Sequence, residues 1–309
     1  MTTHHTSCQP RGFTVMELLI VIAIMGLLIA FSFSAFNAAV AHSRVSRTKV
    51  VIAKLDQLVM EKYQSYRTRP VPIRTAATVS PRVAAGYRLA AIRDLMRMEM
   101  PDRKSDVVDP PCRYDGTTAM APPSLYQGYR RKALAACGSG WATSWTETSQ
   151  GAECLYLIVS SMRDQDKSAL DFFAEGEVGD LDGDNMKEFL DAWGRPIEFL
   201  RWAPGYTTEN GVVTMQTSDA TAAHDPFDVL KLDAAAFQLH PLLFSGGPDK
   251  GFDIFTDNLS GFHRYANNYS VPNPYAPFSG GAPGTPMDGD GDGRLTYYDN
   301  ITNHYQEAE

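Results

Sequence analysis

The sequence predicts an α+β protein: a long N-terminal helix, apolar and then amphipathic, packed on a globular head with added helices and a small antiparallel β-sheet. Three observations carry this. Leu18 to Ala41 is a run of 24 residues without a charge, long enough to cross a bilayer as a helix, which takes about 20 residues. Helical periodicity continues past it, with Val45, Ile52, Leu55, Val59, Tyr63 and Tyr66 at three-, four- or seven-residue steps. Short strand-like runs then occur at 196–202, 212–217 and 239–244, which suits a small antiparallel sheet.

Taken in order, a helix from Phe13 to Tyr66 would be about 80 Å long at 1.5 Å per residue. Arg44, Arg47, Lys49 and Lys54 lie off its apolar stripe, and Arg69-Pro70-Val71-Pro72 ends it. This divides the N-terminal region into an apolar part at 13–41 and an amphipathic stalk at 42–69. Ser80-Pro81 reads as N-cap and first helical residue, leading a helix with Leu89, Ile92, Leu95 and Met96 on one face. Residues 101–123 hold five prolines and little periodicity, so a loop is expected. A short helix is expected over 124–136, then a Gly/Ser/Trp stretch to 150. A further helix over 152–175 would use Leu155, Ile158, Val159, Met162, Leu170 and Phe173. Residues 270–287 are Pro/Gly-rich and read as a surface loop. Trp141, Trp145, Trp193 and Trp202 are expected in the core.

With 309 residues, 44% hydrophobic and 21% charged, the chain can bury a core over about two domains. That excludes a disordered chain, a collagen-like repeat and a multi-span membrane protein. The 28 Lys and Arg against 36 Asp and Glu give −8, the wrong sign for a nucleic-acid binder. Four cysteines without a C-x-x-C pair do not build a disulfide scaffold or a zinc ribbon.

One carboxylate, Glu17, stands near the start of the apolar run. Translocon scales put a central Asp at roughly +2.5 to 3.5 kcal/mol, and although the cost falls near a helix end, the position asks for a reason. A signal peptide cut after Ala39-Val40-Ala41, an ordinary anchor with Glu17 in the interface, and a buried core helix are the plain readings. The first is disfavoured because the run exceeds an ordinary signal core and Arg11 is the only fixed positive side chain before it.

The string Arg11-Gly12-Phe13-Thr14-Val15-Met16-Glu17-Leu18-Leu19 resembles the class III signal of type IV pilins and type II secretion pseudopilins. The resemblance implies a leader at 1–12, cleavage after Gly12 by a prepilin peptidase, and methylation of the new N-terminal Phe13. It further implies that the helix stays attached, anchors the chain in the inner membrane and becomes the filament core. Glu17 would pair with the N-terminal amine of a neighbouring subunit, which answers the need of a carboxylate in an apolar core. Cys8 would leave with the leader. Of the remaining Cys112, Cys137 and Cys154, one disulfide is possible; Cys137–Cys154, closing a short loop, is the candidate, with a buried free thiol the alternative.

Three acidic strings follow. In Asp288-Gly289-Asp290-Gly291-Asp292-Gly293-Arg294-Leu295-Thr296-Tyr297-Tyr298-Asp299, aspartates hold positions 1, 3 and 5, glycine position 6 and a carboxylate position 12, the spacing of an EF-hand calcium loop. Arg294 would give its carbonyl and Thr296 would act through water. In Asp180-Leu181-Asp182-Gly183-Asp184-Asn185-Met186-Lys187-Glu188-Phe189-Leu190-Asp191, Asp180, Asp182, Asp184, Glu188 and Asp191 take positions 1, 3, 5, 9 and 12, a helical segment precedes, and Asn185 tolerates a left-handed turn. A capped or solvated acidic turn is the alternative for both. The third string, Ser245-Gly246-Gly247-Pro248-Asp249 through Asp253 and Asp257, resembles the S-x-G-x-D…D-I calcium loop of major pseudopilins. Asp191-Ala192-Trp193-Gly194-Arg195-Pro196-Ile197 resembles their D-x-W-G-x-P-[YI] segment. By that resemblance Asp249, Asp253 and Asp257 become ligands, residues 161–309 the pseudopilin-like head, and 70–160 a mostly helical insertion.

No Ser/His/Asp set can be argued from the scattered His224, His240, His263 and His304, and no H-E-x-x-H, Walker or Rossmann signature occurs. With no catalytic motif to set against it, the pilin resemblance implies a structural subunit, not an enzyme. It would carry calcium, a single inner-membrane span and a periplasmic head, and would support protein secretion. Its partners would be other pilin or pseudopilin subunits, the prepilin peptidase, an inner-membrane assembly platform and membrane lipid. The alternative is a calcium-binding adhesin or enzyme on a plain signal or anchor segment.

Overall fold

In the computed structural model, residues 14–164, 167–207, 214–256, 272–275, 281–288 and 297–304 are described. Two compact units divide the chain, Met1–Arg44 and Val45–Glu309. Helix α1, Val15–Ser65, is continuous and is long and apolar enough to cross a membrane. Its apolar side chains from Val15 to Phe36 are exposed. From Thr48 onward only one stripe is buried: Thr48, Val51, Ile52, Leu55, Val59 and Tyr63. This is the change from all-round to one-sided apolarity that the periodicity predicts.

The head is built on that stripe. Tyr63 donates to the Leu239 carbonyl at 3.0 Å, Thr48 accepts from the Ala192 amide at 3.1 Å, and Asn303 donates to Asp56 at 2.7 Å. The helix stops before Pro70, and Arg69 and Tyr66 both donate to the buried carboxylate of Glu99. Helix α2, Pro81–Glu99, begins as expected, with Ser80 accepting from the Val83 amide at 3.4 Å. Leu89, Ile92, Leu95 and Met96 are buried, but so are Arg93, Asp94, Arg97 and Glu99.

The expected loop at 101–123 holds a short helix, α3, Lys104–Val108. Its aspartates enclose a fully buried guanidinium: Arg201 donates to Asp106 at 2.9 Å and to the Met100 carbonyl at 2.8 Å, while Asp102 accepts the Arg201 amide at 2.9 Å. Charge, not apolar spacing, orders this segment. Helices α4, Ser124–Cys137, α5, Trp141–Ser144, and α6, Gln150–Val159, complete the helical part.

The helix expected over 152–175 ends at Val159. Ser160 and Ser161 turn their hydroxyls back to the Leu157 carbonyl, and the chain enters a hairpin of β1, Arg163–Asp164, and β2, Lys167–Ser168. Leu170 lies in a separate 3-10 turn, Ala169–Phe172, with a Ser168/Asp171 capping box. A second hairpin pairs β3, Val178–Gly179, with β4, Glu188–Phe189.

The main sheet is antiparallel, in the order β5 (Glu198–Leu200), β6 (Leu242–Ser245), β7 (Ile301–Thr302). Phe199 faces Leu243, and Leu200 faces Leu242 in register. The strand period of two sends Phe199, Leu243 and Ile301 into the large core with α1, α2, α4 and α6, and Leu200, Leu242 and Phe244 into a second cluster with Tyr206, Ile254 and Tyr297.

Of the expected strands, 196–202 and 239–244 contain β5 and most of β6. The run 212–217 lies partly outside the described residues, and its described part is not a strand. There Gln216 uses its side chain to hold the Ala203 and Tyr206 carbonyls and the His240 amide. Strand β7 went unpredicted. Trp145 and Trp202 are core residues, whereas Trp141 and Trp193 are half-buried. No disulfide joins Cys137 to Cys154: both are thiols, Cys154 buried in α6 and Cys137 donating to the Asp184 carbonyl.

His304 is fully buried. Its Nε2 lies 3.0 Å from the Pro241 carbonyl, and its ring stands edge-on to Tyr206 and His240. Burial, and secondarily His240, depress its pKa to about 3 from 6.5. The unfolded chain therefore takes up a proton between those values that the folded chain refuses, and stability present above pH 6.5 is lost as pH falls toward 3. Denaturant unfolding of the full chain in detergent should show a lower midpoint at about pH 4.5 than at about pH 7, with a shallower pH slope in His304→Phe.

Candidate functional site

Two features of the chain bear on function: the start of α1 and the carboxylates of the head. Gly12 and Phe13 lie outside the described residues. Glu17 is in the first turn of α1, where its Oε2 accepts from the Thr14 amide at 2.9 Å and the Thr14 hydroxyl at 3.0 Å, while the Glu17 amide donates back to Thr14 Oγ1 at 3.2 Å. This is a capping box, which satisfies amides that a helix start leaves open. In the single chain the carboxylate is thus held by its own helix and remains exposed.

In the head, residues 180–187 connect β3 to β4 and the rest of the string lies in and just past β4; a one-turn 3-10 segment, Glu175–Glu177, stands before β3 in place of the longer helix expected there. Asp180 accepts from the Gly183 and Asn185 amides at 2.7 and 3.0 Å, and Asn185 takes the expected left-handed conformation at φ 73°. Asp182 accepts from the Thr146 hydroxyl, and Asp184 accepts from the Thr146 amide at 2.7 Å and the Met186 amide at 2.8 Å. Glu188, in β4, is fully buried and accepts from the Leu181 amide.

Two trios have carboxylate oxygens all within 4.8 Å of one another: Asp180, Asp182 and Glu188, and Glu153, Asp182 and Asp184. They form a largely buried acidic cluster able to hold a metal ion. Sequence spacing finds four of its members. It misses Glu153, which arrives from α6 and whose only local signal is a lone acid in an apolar run. Burial, then Asp182, Asp180 and Asp184, push Glu188 up to about 7; burial, then Asp184, Asp182 and Glu188, push Glu153 up to about 10 against the pull of the Trp145 indole N–H. Burial and then Asp184, Glu153, Asp180 and Asp182 also raise the Cys137 thiol.

Asp191, expected at position 12, is turned away. Its Oδ1 accepts from the Trp193 and Arg195 amides at 2.8 and 2.9 Å, and its Oδ2 accepts from the Ser245 hydroxyl at 2.7 Å. It shapes the turn through Gly194, at φ 74°, and ties that turn to β6.

The other two strings meet in part. Burial and the nearby charges of Asp249 and Asp253 raise the pKa of Asp299, so an end of one string faces the other. Asp249 accepts from the Gly251 amide at 2.8 Å, and Asp253 is buried at φ 46°. Asp288 is described; Asp257, Asp290, Asp292, Arg294 and Thr296 lie outside the described residues. Asp249, Asp253 and Asp299 do not form a third trio at the 4.8 Å spacing among the described residues.

Residues 9–33 match the prokaryotic N-terminal methylation motif. The N-terminus is thus type IV pilin-like, of the kind a prepilin peptidase processes, and with α1 it is consistent with a membrane-anchored protein that assembles with other pilin subunits. No match was found among curated proteins or among solved structures.

Asp191→Ala separates a turn-forming aspartate from a ligand. It should destabilise the head by roughly 1–3 kcal/mol through the buried Ser245 hydroxyl left without its acceptor, read by denaturant unfolding, and should leave any metal binding by the 180–188 carboxylates unchanged in calorimetric titration.

Proposed function

We propose that the chain is a structural subunit of a type II secretion pseudopilus or a type IV pilus-like filament. The observation that carries this is the methylation motif at 9–33 leading into a helix whose apolar side chains are exposed from Val15 to Phe36. Such a surface is unstable in water and asks for lipid or for like helices around it. Cleavage after Gly12 frees the α-amino group of Phe13, which supplies a positive charge to the neighbouring subunit's Glu17. The capping box sets the alternative: Glu17 keeps Thr14 until a neighbour's amine offers a stronger, charge-assisted partner.

In this reading the protein passes once through the inner membrane with its head in the periplasm, and a separate assembly platform adds it to the filament, supporting protein secretion. Its role is mechanical and not enzymatic. Calcium stiffens the head, acting by linkage as RT ln(1+[L]/Kd), with extracellular modules of this kind binding near 10⁻⁴ to 10⁻³ M as an order of magnitude.

Intact mass and N-terminal sequencing of the protein from native membranes should give a chain that starts at N-methylated Phe13; a start at His42, or a retained Met1, overturns the reading. Glu17→Ala should leave the subunit anchored and its head folded but reduce its recovery in sheared filaments or crosslinked oligomers to background. Unimpaired assembly of that variant counts against the role of Glu17.

A further inference from the structure

Glu153 is an unusual residue to find where it is. It lies in the first turn of α6, is 0% exposed, and sits among Trp145, Cys154 and Leu157 of the large core. A buried carboxylate normally has a cationic partner or a full set of hydrogen-bond donors. Here the Trp145 indole N–H donates to Oε2, while Oε1 is buried with no hydrogen-bond partner. The side chain reaches Asp182 and Asp184 of the hairpin loop. None of Glu153, Asp180, Asp182, Asp184 and Glu188 forms an ion pair among the described residues.

We propose that Glu153 completes a calcium site with Asp180, Asp182, Asp184 and Glu188, clamping the β3–β4 hairpin to α6. The choice of ion rests on the calcium reading of the head given above; the site itself rests on Glu153. Position 12 of the loop, where a calcium loop carries its last carboxylate, is vacated by Asp191, and a carboxylate from a different element stands in for it. Asp182 belongs to both trios and marks the centre. Within each trio the oxygens lie within 4.8 Å of one another, a spacing that fits a sphere of calcium–oxygen radius, about 2.3–2.6 Å.

The donor set fixes the class of ion. All five ligands are carboxylates, no histidine joins them among the described residues, and the Cys137 thiol donates a hydrogen bond to the Asp184 carbonyl. Zinc favours nitrogen and sulfur, and magnesium keeps most of its water, whereas calcium accepts many carboxylates in loose geometry. Behind the ligands, Trp145 orients Glu153, and Thr146 orients Asp182 and Asp184 through its hydroxyl and amide. Donors of this kind fix the direction of a ligand before the ion arrives. Three segments therefore converge on the ion: the corner at 145–146, α6, and the hairpin.

The test uses the full chain in detergent, stripped with EDTA and exchanged into chelator-free buffer, followed by calorimetric titration and thermal unfolding with calcium chloride. Calcium should raise the melting temperature of the wild type. Glu153→Gln keeps shape and volume, and should either remove one binding event or weaken it by about tenfold or more, since ligand charge sets calcium affinity over decades. Asp182→Asn, on the more exposed side, should do the same and guards against a folding defect at Glu153. If both variants bind calcium as the wild type does while Asp249→Asn abolishes binding, calcium in the head stands and the Glu153 site falls. If the wild type binds no calcium, both fall.

Discussion

The larger of the head's two apolar clusters closes over one stripe of α1. From Thr48 to Tyr63 the helix offers a narrow apolar face, and the large core closes over it with residues as distant as Leu239 and Ile301. Full burial of a large apolar side chain is worth about 1.5–3 kcal/mol, so this stripe is a dominant anchor for a fold whose strands are two to four residues long. The same helix, earlier in its course, has no such preference for one side: its apolar side chains from Val15 to Phe36 are exposed all round. The change from all-round to one-sided apolarity is written in the residues between Phe36 and Thr48.

The second layer of order is electrostatic. Arg69 with Glu99, Arg93 with Asp225, Arg97 with Asp94, and Arg201 with Asp102 and Asp106 are partly or fully buried pairs. Each guanidinium is taken out of water together with its acceptors, a costly arrangement that specifies one geometry more than it adds stability. Together they lock α2 and α3 to β5 and to the end of α1. The acidic cluster around Asp182 differs in kind, since its carboxylates face one another with no such basic partner among the described residues.

How much of this was legible follows from the same division. Periodicity reveals what is half-buried, so α1, α2 and α4 were readable, as were β5 and β6 in outline. Segments fixed by polar contacts were not: α3 hides among prolines, and the turn after Val159 is dictated by two serines and a capping box. The 180–188 carboxylates were legible because they recur at alternate positions of one short loop and so lie close by local spacing alone. Glu153 was not, because its place in the cluster depends on how α6 packs, which no local pattern encodes. Asp191 shows the converse: correct spacing, with a nearby turn and Ser245 claiming the side chain first.

The order of the main sheet has a consequence in time. Strand β6 lies between β5 and β7, and β7 comes from residues 301–302, with Asn303 bonding both Pro241 and Asp56. The central strand therefore keeps an open edge until those last described residues are delivered, and α1's own stripe stays incompletely covered for as long. Such distant pairings form slowly, and an unpaired edge is a template for the wrong neighbour. Until β7 pairs, the open edge of β6 is where a second chain would pair in its place.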